Sequence, residues 1–150
     1  MSRIAEVIVL AQYADEVMEP LTRPDDTRIW QGVFHELRAG GNWGFGWGAE
    51  FTSMRTRSGL LKHLESLPWP QPETVQVLIH DEEDDCFGLW MIHDGGLVEI
   101  PLPRTRRAYW KGPHNEKYPP DPGILNRTDC GPVDWPEETE GGGQSRPPAW

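Results

Sequence analysis

Cysteine is nearly missing from this 150-residue sequence: Cys86 and Cys130 are its only two. Two cysteines make no disulfide framework, and a pair of free thiols suits a reducing cytoplasm. Long apolar runs are missing as well. No stretch approaches the roughly 18 residues needed to span a bilayer. The early apolar stretch at residues 7–11 is too short for the ~7–15-residue core of a secretory signal followed by a cleavage site. Catalytic and metal-binding patterns are also absent: there is no G-x-S-x-G, C-x-x-C, H-x-H or H-x-x-x-H. Those absences remove the motif-level case for an activated nucleophile or a preformed metal site. Basic charge is scarce, with 14 Lys+Arg against 24 Asp+Glu and a net charge of −10. That imbalance disfavours nonspecific binding to nucleic acid or anionic membrane.

Tryptophan is plentiful: eight in a chain of one domain's length, supplying large apolar area for a core. The charge is unevenly spread. Residues 1–100 carry 7 basic and 17 acidic side chains, a net of −10. Residues 101–118 carry five cations against Glu116, a net of +4, and residues 119–150 carry two against six acids, a net of −4. The organisation expected is therefore an acidic α+β domain at 1–103, a basic-aromatic neck at 104–118 and an acidic Pro/Gly-rich tail at 119–150. The tail holds seven prolines and the Gly141–Gly142–Gly143 run, a composition of extended or disordered chain.

Periodicity assigns the elements of the body. Residues 4–13, rich in β-branched side chains, read as a buried strand, although Ile4, Val7, Ile8 and Ala11 also fit a helical stripe. Residues 14–21 suit a short helix ended by Pro24. Residues 25–38 are ambiguous. Trp30, Val33, Phe34 and Leu37 fit a helix capped by Asp25 or Asp26, while Val33, His35 and Leu37 fit one face of a strand. The strand is preferred, because the turn Gly40–Gly41–Asn42 leads into a second alternating run at 47–56. Residues 58–67 are the clearest helix, with Ser58 as N-cap, Leu60, Leu61, Leu64 and Leu67 as its apolar stripe, and prolines beyond it. Strands follow at 74–80, 86–93 and 97–102, the last two joined by the hairpin residues Asp94–Gly95–Gly96. The order β-α-β-β-α-β-β-β begins as a ferredoxin-like split βαβ sheet, with the last strands extending it. The sequence GGNW, the run at 47–54 and GLLKHLESLPWPQPETVQVLIHDEEDDCF together resemble a pattern in small actinobacterial and actinophage proteins, over roughly residues 40–90. The resemblance implies no activity, cofactor or site residue.

Several groups invite a chemical reading. The acidic turn Asp81, Glu82, Glu83, Asp84 and Asp85 offers oxygen ligands but lacks the spacing and central glycine of a calcium loop, so a solvated hairpin loop is the plainer reading. His80 and His93 flank one hairpin, each followed by an aspartate. With no third ligand in a recognisable pattern, they read as strand-end residues, or as the centre of a small metal-dependent enzyme. Trp43, Phe45 and Trp47 alternate in a glycine-rich segment and form either a contact patch or core. Arg104, Arg106, Arg107, Tyr109, Trp110 and Lys111 interleave cations and aromatics, which can hold phosphates and stack bases. The better reading is a strap lying back over the acidic body. The expectation is thus a non-enzymatic, cytoplasmic or virion-associated protein without cofactor or metal. It would bind another protein through Trp43, Phe45, Trp47, the five acids of the turn, Trp135 and Trp150, as an assembly subunit, in a phage for example, or as an inhibitor of a host factor. A nucleic-acid-binding module built on the neck is the first alternative.

Overall fold

In the computed structural model the described residues are 2–37, 45–109 and 123–129. Strand β1 (Ser2–Leu10) is flanked on both sides, by β3 (Gly46–Ser53) and β4 (Gln76–Asp81). With β2 (His35–Glu36), β5 (Gly88–His93) and β6 (Gly96–Ile100) they make one sheet in the order β2-β3-β1-β4-β5-β6, antiparallel throughout. Alternation sets its inner face. Ala5, Val7 and Val9 of β1 line up with Trp47, Ala49 and Phe51 of β3, and with Val77 and Ile79 of β4, and all eight are buried. Trp90 and Leu97 continue this face into β5 and β6.

Short helices cover that face. They are α1 (Asp15–Met18), which runs on into a 3-10 turn (Glu19–Thr22), α2 (Met54–Arg57) and α3 (Leu60–Ser66). Met18, Leu21, Leu60, Leu61 and Leu64 pack into the same core as the inner strand residues. The fold is therefore mixed α+β; through β6 the strands follow the order read from periodicity, with α2 an additional short helix. No described helix is long and apolar enough to cross a membrane. The β5–β6 turn has Asp94 at φ 48° and Gly95 at φ 79°, the two left-handed residues that a two-residue hairpin turn requires.

Three expectations need correction. Residues 25–37 are neither helix nor a full strand; only His35 and Glu36 pair. Asp25 accepts from the backbone N and the hydroxyl of Thr27, at 2.9 and 2.6 Å, which turns the chain there. Backbone bonds then tie Gln31 N to Thr56 O in α2 and Phe34 N to Leu21 O in the 3-10 turn, so the segment bonds to other elements instead of to itself. It still buries Trp30 and Phe34 completely. Ser58 does not cap α3. Gly59 does, at φ +84°, where an added Cβ would lie 2.9 Å from Ile29 Cγ2; Ser53 caps α2 instead. Finally, regular structure does not stop at Pro103. Strands β7 (Thr105–Ala108) and β8 (Ile124–Arg127) form a second, two-stranded antiparallel sheet. At four residues each, with cations in β7, they are too short and polar to leave a hydrophobic period. The turn expected at Gly40–Gly41–Asn42 lies outside the described residues.

Trp30 also fixes a histidine. Its indole Nε1–H donates to His63 Nδ1 at 2.7 Å. An indole nitrogen only donates, so His63 Nδ1 must be unprotonated. Burial first, and the Arg28 charge next, pull His63 below its ordinary value of 6.5, with Asp25 opposing. Below that value the unfolded chain takes up a proton that the folded one refuses. His63 therefore costs the fold stability as pH falls from about 6.5 towards its lowered folded value. Urea midpoints are expected to drop as pH falls below about 6.5, and a His63→Gln variant, whose side-chain oxygen can take the indole proton, should show a shallower drop. Parallel curves for the two proteins would contradict the assignment.

Candidate functional site

The acidic turn is not a uniformly solvated loop. Asp81 ends β4 on the inner face and is 1% exposed; Arg3 and Arg57, 6% and 0% exposed, converge on it. Arg3 Nε reaches Asp81 Oδ1 and Arg57 Nη2 reaches Oδ2, both at 2.5 Å. Burial pulls the Arg57 guanidinium below its usual range, while Asp81 pushes back. Asp84 is also buried. Its two oxygens accept from Asp81 N at 2.9 Å and from Leu125 N at 2.7 Å. Burial raises its carboxyl above the ordinary value, and those two donors oppose the rise. Asp85 Oδ2 accepts from Arg127 N, and Asp85 N donates to Leu125 O. The turn thus receives β8, and Asp81 and Asp84 are spent inside the molecule. Glu82, Glu83 and Asp85 remain exposed.

Of the neck cations, Arg107 turns inward, whereas Arg104 pairs at the surface. Arg107 Nε and Nη2 bind Glu99 at 2.8 and 2.7 Å, with the guanidinium 5.2 Å from the Trp90 ring centre. Arg104 lies 3.6 Å from Asp129, which Arg127 also pairs. Arg106 is half-buried in β7, and burial raises the Tyr109 hydroxyl above its ordinary range. Trp43, Trp110, Lys111, Trp135, Trp150 and Cys130 lie outside the described residues. Of the alternating aromatics, Trp47 is core at 2% exposure, whereas Phe45 is 49% exposed.

The structure separates the two histidines. The register pairs Gln76 with Met91 and Ile79 with Gly88, so His80 and His93 sit at opposite ends of the β4–β5 ladder, roughly 20 Å apart at 3.3 Å per residue. His80 stacks on Phe87, lies 3.3 Å from Glu6, and its Nε2 bonds the Asp84 carbonyl at 3.0 Å. Among the described residues no three His, Cys, Asp or Glu side chains gather as a metal site. Burial pushes the half-buried Cys86 thiol up, away from the reactive thiolate.

Sequence reasoning missed the outer face of the sheet. There the cross-strand row Ile8–Leu78–Leu89–Ile100 is wholly apolar, and the next row reads Leu10–Gln76–Met91–Val98. None of these eight is fully buried. The described helices instead contribute their buried side chains to the core of the opposite face. Ile4, 44% exposed, lies at one edge. Glu6 and Glu50, both exposed, face each other on β1 and β3 beside the apolar rows. The signal was present: IVL, VLI and LWMI are apolar at both parities. An antiparallel sheet with one wet face alternates apolar and polar residues instead. No family model, curated protein or solved structure matches the chain.

Proposed function

We propose that this chain is a non-enzymatic protein-binding accessory protein that docks its partner on the outer face of the sheet. The observation that carries the reading is the apolar row Ile8–Leu78–Leu89–Ile100, with Leu10, Met91 and Val98 beside it, on the face turned away from the helices. An apolar patch of this kind, rimmed by charge, is what an interaction surface presents. Glu6 and Glu50 are like charges directly opposite one another, an arrangement that weakens a sheet on its own. A cationic group on the partner would relieve it. The partner is therefore an apolar segment flanked by Lys or Arg, met as part of a larger assembly or as a target for inhibition. The frame is proposed to be ferredoxin-like: the order β2-β3-β1-β4, with helices in the β1–β2 and β3–β4 connections, supports that reading. Nucleic acid is the weaker alternative, because Arg107, Arg104 and Arg127 already pair with carboxylates of this chain.

The test is capture from the native host by the intact chain, beside a Leu78→Thr/Leu89→Thr variant and a Glu50→Lys variant. Threonine keeps the strand propensity of these positions while removing apolar area. Both variants should fold, and both should lose a protein that the unaltered chain retains. Equal recovery by all three would refute this face as the binding surface.

A further inference from the structure

A cleft of about 530 Å³ lies between α3 and the segment running from Val17 to Ile29, on the helix side of the sheet. That size is within the range of small-molecule sites. The apolar part of its lining is formed by Val17, Leu21, Ile29 and Leu67. Ile29 is 76% exposed there, an unusual place to leave so large an apolar side chain. The polar part of the lining carries Asp25, Arg28, Lys62 and His63.

The hydrogen bonds already made show what is left to offer. His63 Nδ1 is occupied by Trp30, so the neutral ring carries its proton on Nε2 and can only donate from there. Arg28 spends its Nη groups on the carbonyls of Pro20, Arg23 and Gly32, at 3.3, 2.9 and 2.7 Å, and lies 4.1 Å over the Trp30 ring. Its Nε is buried away from the cleft, so Arg28 contributes positive charge there and no free donor. Lys62 adds an exposed ammonium. Against these donors stands one carboxylate, Asp25, whose Oδ1 holds the Thr27 turn. Its charge is felt at both Arg28 and His63.

A ligand matching this lining must place an anionic acceptor against Lys62 and His63, within the field of the Arg28 charge, a cationic donor against Asp25, and an apolar body against Ile29 and Leu67. From this juxtaposition we infer that the cleft binds a small zwitterion with an apolar body, the chemistry of a free apolar α-amino acid. A simple carboxylate would leave Asp25 facing an anion or nothing. A simple amine would leave the donors without an acceptor. The site is on the opposite side of the sheet from the proposed docking face, so the two stand or fall separately.

The test is calorimetric titration of the full chain at neutral pH with three probes: L-leucine, 4-methylpentanoate, which lacks its amine, and 3-methylbutan-1-amine, which lacks its carboxylate. Leucine should bind, and each fragment should bind about tenfold or more weakly, the loss of one charge-assisted contact. Asp25→Asn keeps an oxygen for the Thr27 turn but removes the charge. That variant and Lys62→Ala should each weaken leucine binding by about the same factor, with melting temperatures unchanged. Absence of heat with leucine at millimolar concentration would overturn the inference. So would equal binding of 4-methylpentanoate, or full leucine affinity in both variants.

Discussion

An Asp81→Ala variant is expected to lose about 3–5 kcal/mol of stability, the cost of breaking a buried ion pair from one side. The reason is local. Asp81 is the shared acceptor of two guanidinium groups, each held within 2.5 Å and each nearly excluded from water. Removing the carboxylate leaves two like charges facing each other across the vacated space, at the junction of β1, α2 and β4. Arg57→Met should cost much less, because Arg3 still neutralises Asp81 and the methionine fills the apolar part of the site. Urea unfolding of the three proteins checks this. A loss under about 1 kcal/mol for Asp81→Ala would mean that water reaches the cluster and screens it.

This cluster also shows where sequence reasoning stops. Asp81 stands first in a run of five acids, and a run of one sign reads as a solvated loop. Its parity gives the contrary answer: counted along β4 after Val77 and Ile79, residue 81 points to the core. Arg3 and Arg57 have no sequence mark at all, since they meet Asp81 from 78 and 24 positions away. Such long-range pairing is set by the sheet register and by where α2 lands. The strands and α3 were legible for the opposite reason. Their signals are local: β-branched runs, the leucine spacing of residues 60–64 and the Asp94–Gly95 turn.

Residues 25–37 depart from both of their local patterns because their fate is decided by bonds to other segments. Trp30 and Phe34 supply helical spacing, yet the backbone there serves Thr56 and Leu21. The outer face of the sheet is legible in the sequence. A strand such as VIVL signals burial, and its apolar residues at both parities signal in addition that both faces need a cover. In the candidate cleft, Leu67 was legible as the end of an apolar stripe and is half-buried there. The Trp30–His63 bond was not, because its partners lie 33 residues apart on a loop and a helix.

Ending the chain after residue 118 is expected to destabilise the body, although the segment removed has the composition of a tail. Strand β8 lies within it, and two separate contributions go with that strand. Leu125, 4% exposed, loses a burial worth about 2 kcal/mol. Asp84 loses the Leu125 N–H donor and keeps a buried carboxylate short of one partner, a further cost of about 1–3 kcal/mol. Arg3 also loses the Gly123 carbonyl that its Nη2 approaches at 3.3 Å, and β7 loses its only ladder partner among the described residues. A Leu125→Ala point variant in the full chain isolates the first contribution and should account for about half of the loss. The truncated chain should melt at clearly lower temperature, and Asp84→Ala should hurt it less than it hurts the full chain, because the bond that Asp84 makes to β8 is already gone. Equal melting temperatures for the truncated and full chains would mean that β8 rests on the body without stabilising it.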